Sequence, residues 1–328
     1  MPIKVVIGMT KPLIFLTRIL PDEAMETLKR RFDLHYHRSD LPISKQQILR
    51  GVRYADGIIT MLSDRIDREV FEAATRLKII ANYAVGYNNI DLNTANERNI
   101  VVTNTPGVLT ETTADLAWSL LMAVARRIPE ADQLVRSGKW LGWAPTQLLG
   151  SDIQGKTLGI IGMGRIGQAM ARRAHGFSMR VVYYQRHRLP AKEEKKLHGH
   201  YLPLPRLLKE SDYVSLHLPL TNESHYLIDK KALHLMKPTA FLINTARGPV
   251  VDEKALVNAL LEKEIAGAGL DVFEDEPNLA PRLRRLKNTV ILPHIGSAST
   301  ETRIRMGFIV LENLSAYFSK QNPPNMVN

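Results

Sequence analysis

Short, mostly apolar runs alternate with stretches of helical periodicity along nearly the whole chain. Such runs read as strands buried on both faces, and their alternation with helices predicts parallel α/β construction. The first set is Leu13–Thr17, Phe32–His37, Gly57–Thr60, Ile79–Asn82 and Ile100–Asn104. The second is Thr157–Ile161, Val181–Tyr184, Tyr213–Leu218, Ala240–Asn244, Ala266–Asp271 and Val290–Leu292, and the two sets predict two separate sheets. Between them Asn104-Thr105-Pro106-Gly107 breaks the pattern and reads as a hinge. A long helix is expected from Glu111 to Arg126, with Thr112 and Asp115 at capping-box spacing. Its apolar residues (Leu116, Ala117, Trp118, Leu120, Leu121, Ala123, Val124) surround most of its circumference, which predicts burial on more than one side and contact with a second subunit. Ser297 to Ser319 reads as a closing helix.

Composition narrows the classes. With 328 residues, 45% hydrophobic and 23% charged, the chain fits about two domains with their own cores and is too apolar for disorder. It has no cysteine, which excludes disulfides, thiolate zinc sites, iron–sulfur clusters and a cysteine nucleophile, and fits a reducing, cytoplasmic setting. No run reaches the ~18 apolar residues of a membrane span. Pro12–Thr17 is interrupted by Arg18 and followed by the helix start Pro21-Asp22-Glu23, so it reads as a buried strand behind a ten-residue extension rather than as a leader. The net charge of +11 comes without an aromatic-interleaved basic stripe, which favours a solvated surface or a small anionic ligand over nucleic acid. His198 and His200 lack a third ligand at metal spacing, so no metal site is assigned and a solvated basic loop is expected there.

Gly162-Met-Gly164-Arg-Ile-Gly167 follows one strand and opens a helix. In that setting Gly162 serves the tight turn, Gly164 lets the backbone approach a pyrophosphate, and Gly167 allows close helix–strand packing. The six strands of the second set suit a doubly wound dinucleotide-binding sheet. After Val181–Tyr184 come Gln185, Arg186, His187 and Arg188, with no carboxylate until Glu193. An acidic residue there would bind a ribose 2′-hydroxyl; two guanidinium groups favour a 2′-phosphate, so NADP(H) is expected over NAD(H).

Arg247, Glu276 and His294 stand just beyond successive late strands, where an open α/β sheet binds its ligands. That trio suits hydride transfer to a 2-keto acid: Arg247 for the carboxylate and carbonyl, His294 for the proton, Glu276 to orient the imidazole. Read singly, an arginine placed like Arg247 is more often a surface ion-pair residue, and Glu276 could merely cap the Glu274–Pro277 turn. His217, within an apolar strand, reads as a packed or adenine-side residue.

The chain resembles the D-isomer-specific 2-hydroxyacid dehydrogenases, and within them the glyoxylate/hydroxypyruvate reductases. The resemblance rests on Asn82–Asp91, Thr103–Asp115, Gly155–Gly167, Asn244–Gly248, Gly269–Pro277 and Leu292–Ser297, in the family's order. It implies an α/β chain of two Rossmann-like or flavodoxin-like domains with the active site in the cleft between them. The substrate domain would be 1–102 plus 293–328, and the cofactor domain 103–292. It implies catalytic roles for Arg247, Glu276 and His294, and substrate contacts at Leu62, Val85 and Gly86. Thr113, Arg165 and Ile166 would lie near nicotinamide and pyrophosphate, Pro219 near adenine, and Thr245, Asp271 and Gly296 near nicotinamide. It also implies a homodimer joined through the cofactor domains, with Trp140 and Trp143 on a loop reaching toward the neighbouring subunit. Gln185 in place of an acidic residue matches the NADP-using reductases, and Val85 in place of a lysine argues against phosphite as substrate. The expected reaction is NADPH-preferring reduction of glyoxylate or hydroxypyruvate, with NAD(H) as the alternative cofactor. Pyruvate or 2-ketogluconate reduction and a dinucleotide-sensing binding module remain the competing readings.

Overall fold

Every strand expected from the apolar runs forms, each within a residue or two of the bounds read from sequence. The computed structural model describes residues 11–328, so the leading extension lies outside the described residues. The chain divides into two units, one running to Leu109 and resuming at Ala298–Asn328, the other Thr110–Ser297.

The first unit runs β1 (Leu13–Leu16), α1 (Asp22–Arg31), β2 (Asp33–Tyr36), α2 (Lys45–Val52), β3 (Gly57–Thr60), α3 (Arg68–Ala73), β4 (Ile79–Asn82), α4 (Leu92–Glu97) and β5 (Val101–Thr103), then the closing helix Thr300–Phe318. Its sheet is parallel in the order β2-β1-β3-β4-β5, the flavodoxin-like arrangement. Alternation sorts Ile14, Leu16, Ile59, Ile79 and Ala81 onto the face covered by α1 and the closing helix. Phe15, Ile58, Ile80 and Val102 face α2, α3 and α4.

The second unit runs α5 (Thr110–Ala125), α6 (Ile128–Arg136), β6 (Thr157–Ile161), α7 (Arg165–His175), β7 (Arg180–Tyr184), α8 (Ala191–Leu197), β8 (Gly199–Tyr201), α9 (Leu204–Glu210), β9 (Tyr213–Leu216), α10 (Lys230–Leu235), β10 (Phe241–Asn244), α11 (Glu253–Leu261), β11 (Gly267–Leu270) and β12 (Thr289–Ile291). All seven strands are parallel, in the order β12-β11-β10-β9-β6-β7-β8. Chain order reverses at β6, so the glycine turn lies at the topological switch point.

Two expectations need correction. The stretch 198–200 is solvated at both histidines but is not a loop: His198 closes α8 with its ring 5.0 Å from that of His175, and His200 sits on the edge strand β8. The long helix begins at Thr110, so Thr112 lies inside its first turn rather than at its cap, and Asp115 pairs with Arg173 at 2.6 Å. The buried residues of α5 pack within its own unit, against α7 and the sheet. The two units divide at 109/110 and 297/298. Asn104 is fastened into the first unit by bonds to Val85 O (2.8 Å), Asn325 O (3.1 Å) and Asn313 Nδ2 (3.2 Å). Residues 293–297 are held in the second by Asp271, which accepts from Ile295 N at 2.7 Å. Among the described residues no helix is long and apolar enough to cross a membrane.

Asp212 fastens the centre of the second sheet, accepting from Thr157 N at 2.9 Å and from Lys237 Nζ at 2.7 Å. Burial alone would raise its pKa, but these bonds outweigh burial and hold it below the usual 3.8. Asp212→Asn should lower unfolding free energy by about 1–2 kcal/mol in urea titrations near neutral pH. Its depressed folded-state pKa gives stability that is present above pH 3.8 and lost as pH falls through the folded value, so the gap between variant and wild type should narrow there.

Candidate active site

The turn after β6 is built as the glycine spacing requires. Gly162 has φ +96°, and a Cβ there would stand 2.5 Å from His217 O, so both backbone and space demand glycine. A Cβ on Gly167 would lie 2.1 Å from Gly162 O, whereas the corresponding space at Gly164 is open. Gly164 caps α7 without a side-chain bond, leaving the helix's first N–H groups for an anion, with Arg165 exposed beside them and Ile166 packed inward. His217 bonds Ser215 Oγ at 2.8 Å, and burial pushes its pKa down to about 3, which keeps it neutral.

Beyond β7, Gln185 turns inward: its Oε1 accepts from Met163 N at 3.1 Å and its Nε2 donates to His187 O at 2.6 Å. Arg186, His187 and Arg188 are exposed. Arg188 forks onto Glu194, while Arg186 makes no hydrogen bond or ion pair among the described residues. Pro219 is exposed after β9, its carbonyl bonded by Ser224 Oγ at 2.7 Å.

The late strands converge their loops. After β12, His294 adopts φ +55°, and its Nδ1 lies 2.7 Å from Glu276 Oε2. The other carboxylate oxygen of Glu276 accepts from Phe273 N at 3.0 Å, so the residue both caps its turn and holds the imidazole. After β10, Arg247 is half-buried and donates to Ala246 O at 2.6 Å. Burial lowers its pKa while the Glu276 charge acts to raise it; a guanidinium stays charged throughout. Asp271, after β11, holds Ile295 N with one oxygen; the other is buried beside the Gly296 backbone and meets no hydrogen-bond geometry among the described residues. Burial is the first cause that raises its pKa, against the Ile295 bond and the His294 charge. Thr245 Oγ1 is likewise buried and unpartnered. The position of a Cβ on Gly296 is 3.2 Å from Asp271 Oδ2 and 3.5 Å from Thr113, so these three meet.

Two supporting residues escaped the sequence reading. The side chain of Asn244 donates to Arg247 O and accepts from Ala246 N, each at 3.0 Å, which shapes the arginine's turn. Gly248 lies so close to the next loop that a Cβ would stand 1.8 Å from Phe273 O. The sequence signal was present in Asn-Thr-Ala-Arg-Gly, but its reason is the approach of another strand's loop.

In the first unit, Leu62 follows β3 on a turn whose Met61 and Asp64 carbonyls both accept from Asn89 Nδ2 at 3.0 Å. Val85 and Gly86 follow β4; their carbonyls accept from Asn104 and Asn82 at 2.8 Å, and among the described residues their N–H groups have no acceptor.

The family model described as "D-isomer specific 2-hydroxyacid dehydrogenase, NAD binding domain" matches residues 118–296. A glyoxylate reductase of Korarchaeum cryptofilum is 54% identical over 97% of this chain and 96% of its own. The chain belongs to the D-isomer specific 2-hydroxyacid dehydrogenase family. Among solved structures, a protein of Thermus thermophilus superposes with TM-score 0.90 at 49% identity, covering 96% of this chain and 100% of that one. An NADPH-dependent glyoxylate/hydroxypyruvate reductase of Sinorhizobium meliloti, solved with NADP and malonate, gives 0.85 at 35% identity, with 97% of each chain covered. This dehydrogenase is NAD(P)-dependent and takes a nicotinamide dinucleotide. Its own geometry fits that cofactor: an open cradle at Gly164, and unpartnered polar atoms on Thr245 and Asp271 suited to an amide that both donates and accepts.

Gly248→Ala should force apart the loops that carry Arg247 and Glu276. Given that ~1 Å of displacement costs about 100-fold, turnover should fall at least that far while the dinucleotide still binds, as read by steady-state kinetics and fluorescence titration.

Proposed function

We propose that this dehydrogenase reduces glyoxylate or hydroxypyruvate to the D-2-hydroxy acid, with NADPH preferred over NADH. The observation that carries the reading is the 2.7 Å pairing of His294 Nδ1 with Glu276, within reach of the Arg247 charge. The names of the relatives reported above support the substrate class. The dinucleotide, when bound, supplies the hydride.

This chain's own residues do the rest. Arg247 binds the substrate carboxylate and polarises the neighbouring carbonyl. Glu276 fixes the imidazole through Nδ1, which leaves Nε2 to hold the proton that the substrate oxygen takes up. Gly162 through Gly167 receive the pyrophosphate with Arg165 and Ile166. Thr113, Thr245, Asp271 and Gly296 hold the nicotinamide end, and Pro219 lies toward adenine. In the first unit, Leu62 and the free N–H groups of Val85 and Gly86 are the proposed substrate contacts. The absence of a carboxylate at Gln185 and the exposed Arg186, in no ion pair among the described residues, support the 2′-phosphate. We also propose a homodimer, supported by exposed Ile128 and Val135 on α6 and by Trp140, Leu141, Trp143 and Leu149 on the loop after it.

NADPH oxidation followed at 340 nm with glyoxylate, hydroxypyruvate, pyruvate and 2-ketogluconate tests the reading. Fastest turnover of one of the first two is expected; turnover of none, or of pyruvate or 2-ketogluconate alone, overturns it. His294→Ala should abolish reduction and retain dinucleotide affinity, and near-normal kcat in that variant removes the assigned role. Arg186→Ala should lower kcat/KM with NADPH about tenfold and leave NADH unchanged, since one charge-assisted phosphate contact is lost.

A further inference from the structure

Arg186 and Arg188 follow β7 two residues apart, yet the fold uses them differently. Arg188 is fully engaged: its Nε and Nη2 each lie 2.8 Å from an oxygen of Glu194, a two-point fork that a guanidinium provides and an ammonium does not. The Tyr183 hydroxyl donates to the same carboxylate and accepts from Leu189 N at 2.9 Å. Glu194 thereby ties strand β7, the far end of the loop and helix α8 into one knot. At the near end, Gln185 binds the glycine turn and the His187 carbonyl. Between these two ties Arg186 stands outward, within electrostatic reach of Glu223 but in no ion pair among the described residues. The knot does not open by titration near neutral pH. Bonds from Arg188 and Tyr183 hold Glu194 down to about 2, while burial and the carboxylate push Tyr183 up to about 12.

We infer that Glu194 is a positioning residue for cofactor choice: it withdraws Arg188 from the ligand and uses it to fix the loop from which Arg186 reads the 2′-phosphate. This rests on the NADPH reading proposed above and assigns the phosphate contact to one arginine rather than two.

Equilibrium fluorescence titration of NADPH and NADH against wild type, Glu194→Gln, Arg188→Ala and the double variant tests it. Both single variants should weaken NADPH about tenfold and NADH less than twofold, with the double variant no worse than either, because the knot acts as a unit. If Arg188 were itself a phosphate ligand restrained by Glu194, Glu194→Gln would bind NADPH as tightly as wild type or more tightly; that result overturns the inference and leaves the NADPH preference standing. Equal weakening of both dinucleotides also overturns it. A wild type that binds NADH as tightly as NADPH overturns the NADPH reading and this inference together. Should Glu194→Gln fail to fold, Tyr183→Phe loosens the same knot with both charges kept. It should then weaken NADPH severalfold and spare NADH, and unchanged NADPH affinity overturns the inference.

Discussion

A histidine with a left-handed backbone has to be held by groups outside its own segment. For a residue with a Cβ that conformation costs about 1–2 kcal/mol, and His294 adopts it at the mouth of β12. Two carboxylates from the loop after β11 offset the cost: Asp271 grips the next backbone N–H, and Glu276 grips the ring. The imidazole is therefore placed by the neighbouring strand's loop, and its register follows the β11–β12 pairing.

The same carboxylates each divide their work between structure and chemistry. Glu276 spends one oxygen on its own turn and the other on the imidazole. Asp271 uses one oxygen for the histidine loop and keeps the second unpartnered at a buried position. A buried acceptor without a donor is costly in a folded chain unless something else supplies the donor. Its neighbours Thr113 and Gly296, with the Thr245 hydroxyl on the adjoining loop, are the groups proposed to meet the ligand amide.

Much of this was legible in the sequence because it depends on short-range pattern. Apolar runs located eleven strands, and the glycine spacing located the tight turn into α7, since both signals lie within a few consecutive residues. What was illegible depends on pairing at a distance. Strand β8 has only Gly199, His200 and Tyr201, too short and polar to announce itself, and exists because β7 offers an edge. The apolar girth of α5 showed that it is surrounded but not by what. Arg188 and Glu194 are six residues apart across a turn, so their bond appears only once that turn is folded. Asn104 looked like a hinge because Pro and Gly follow it, while three tertiary bonds anchor it.

The contact between Gly248 and the Phe273 carbonyl is one of backbone with backbone. The arginine's turn and the glutamate's turn are consequently a single mechanical part, and the spacing of their two backbones is set by main chain rather than by rotamers. Side-chain substitutions on those two turns can change charge or shape there, but they leave that backbone spacing in place.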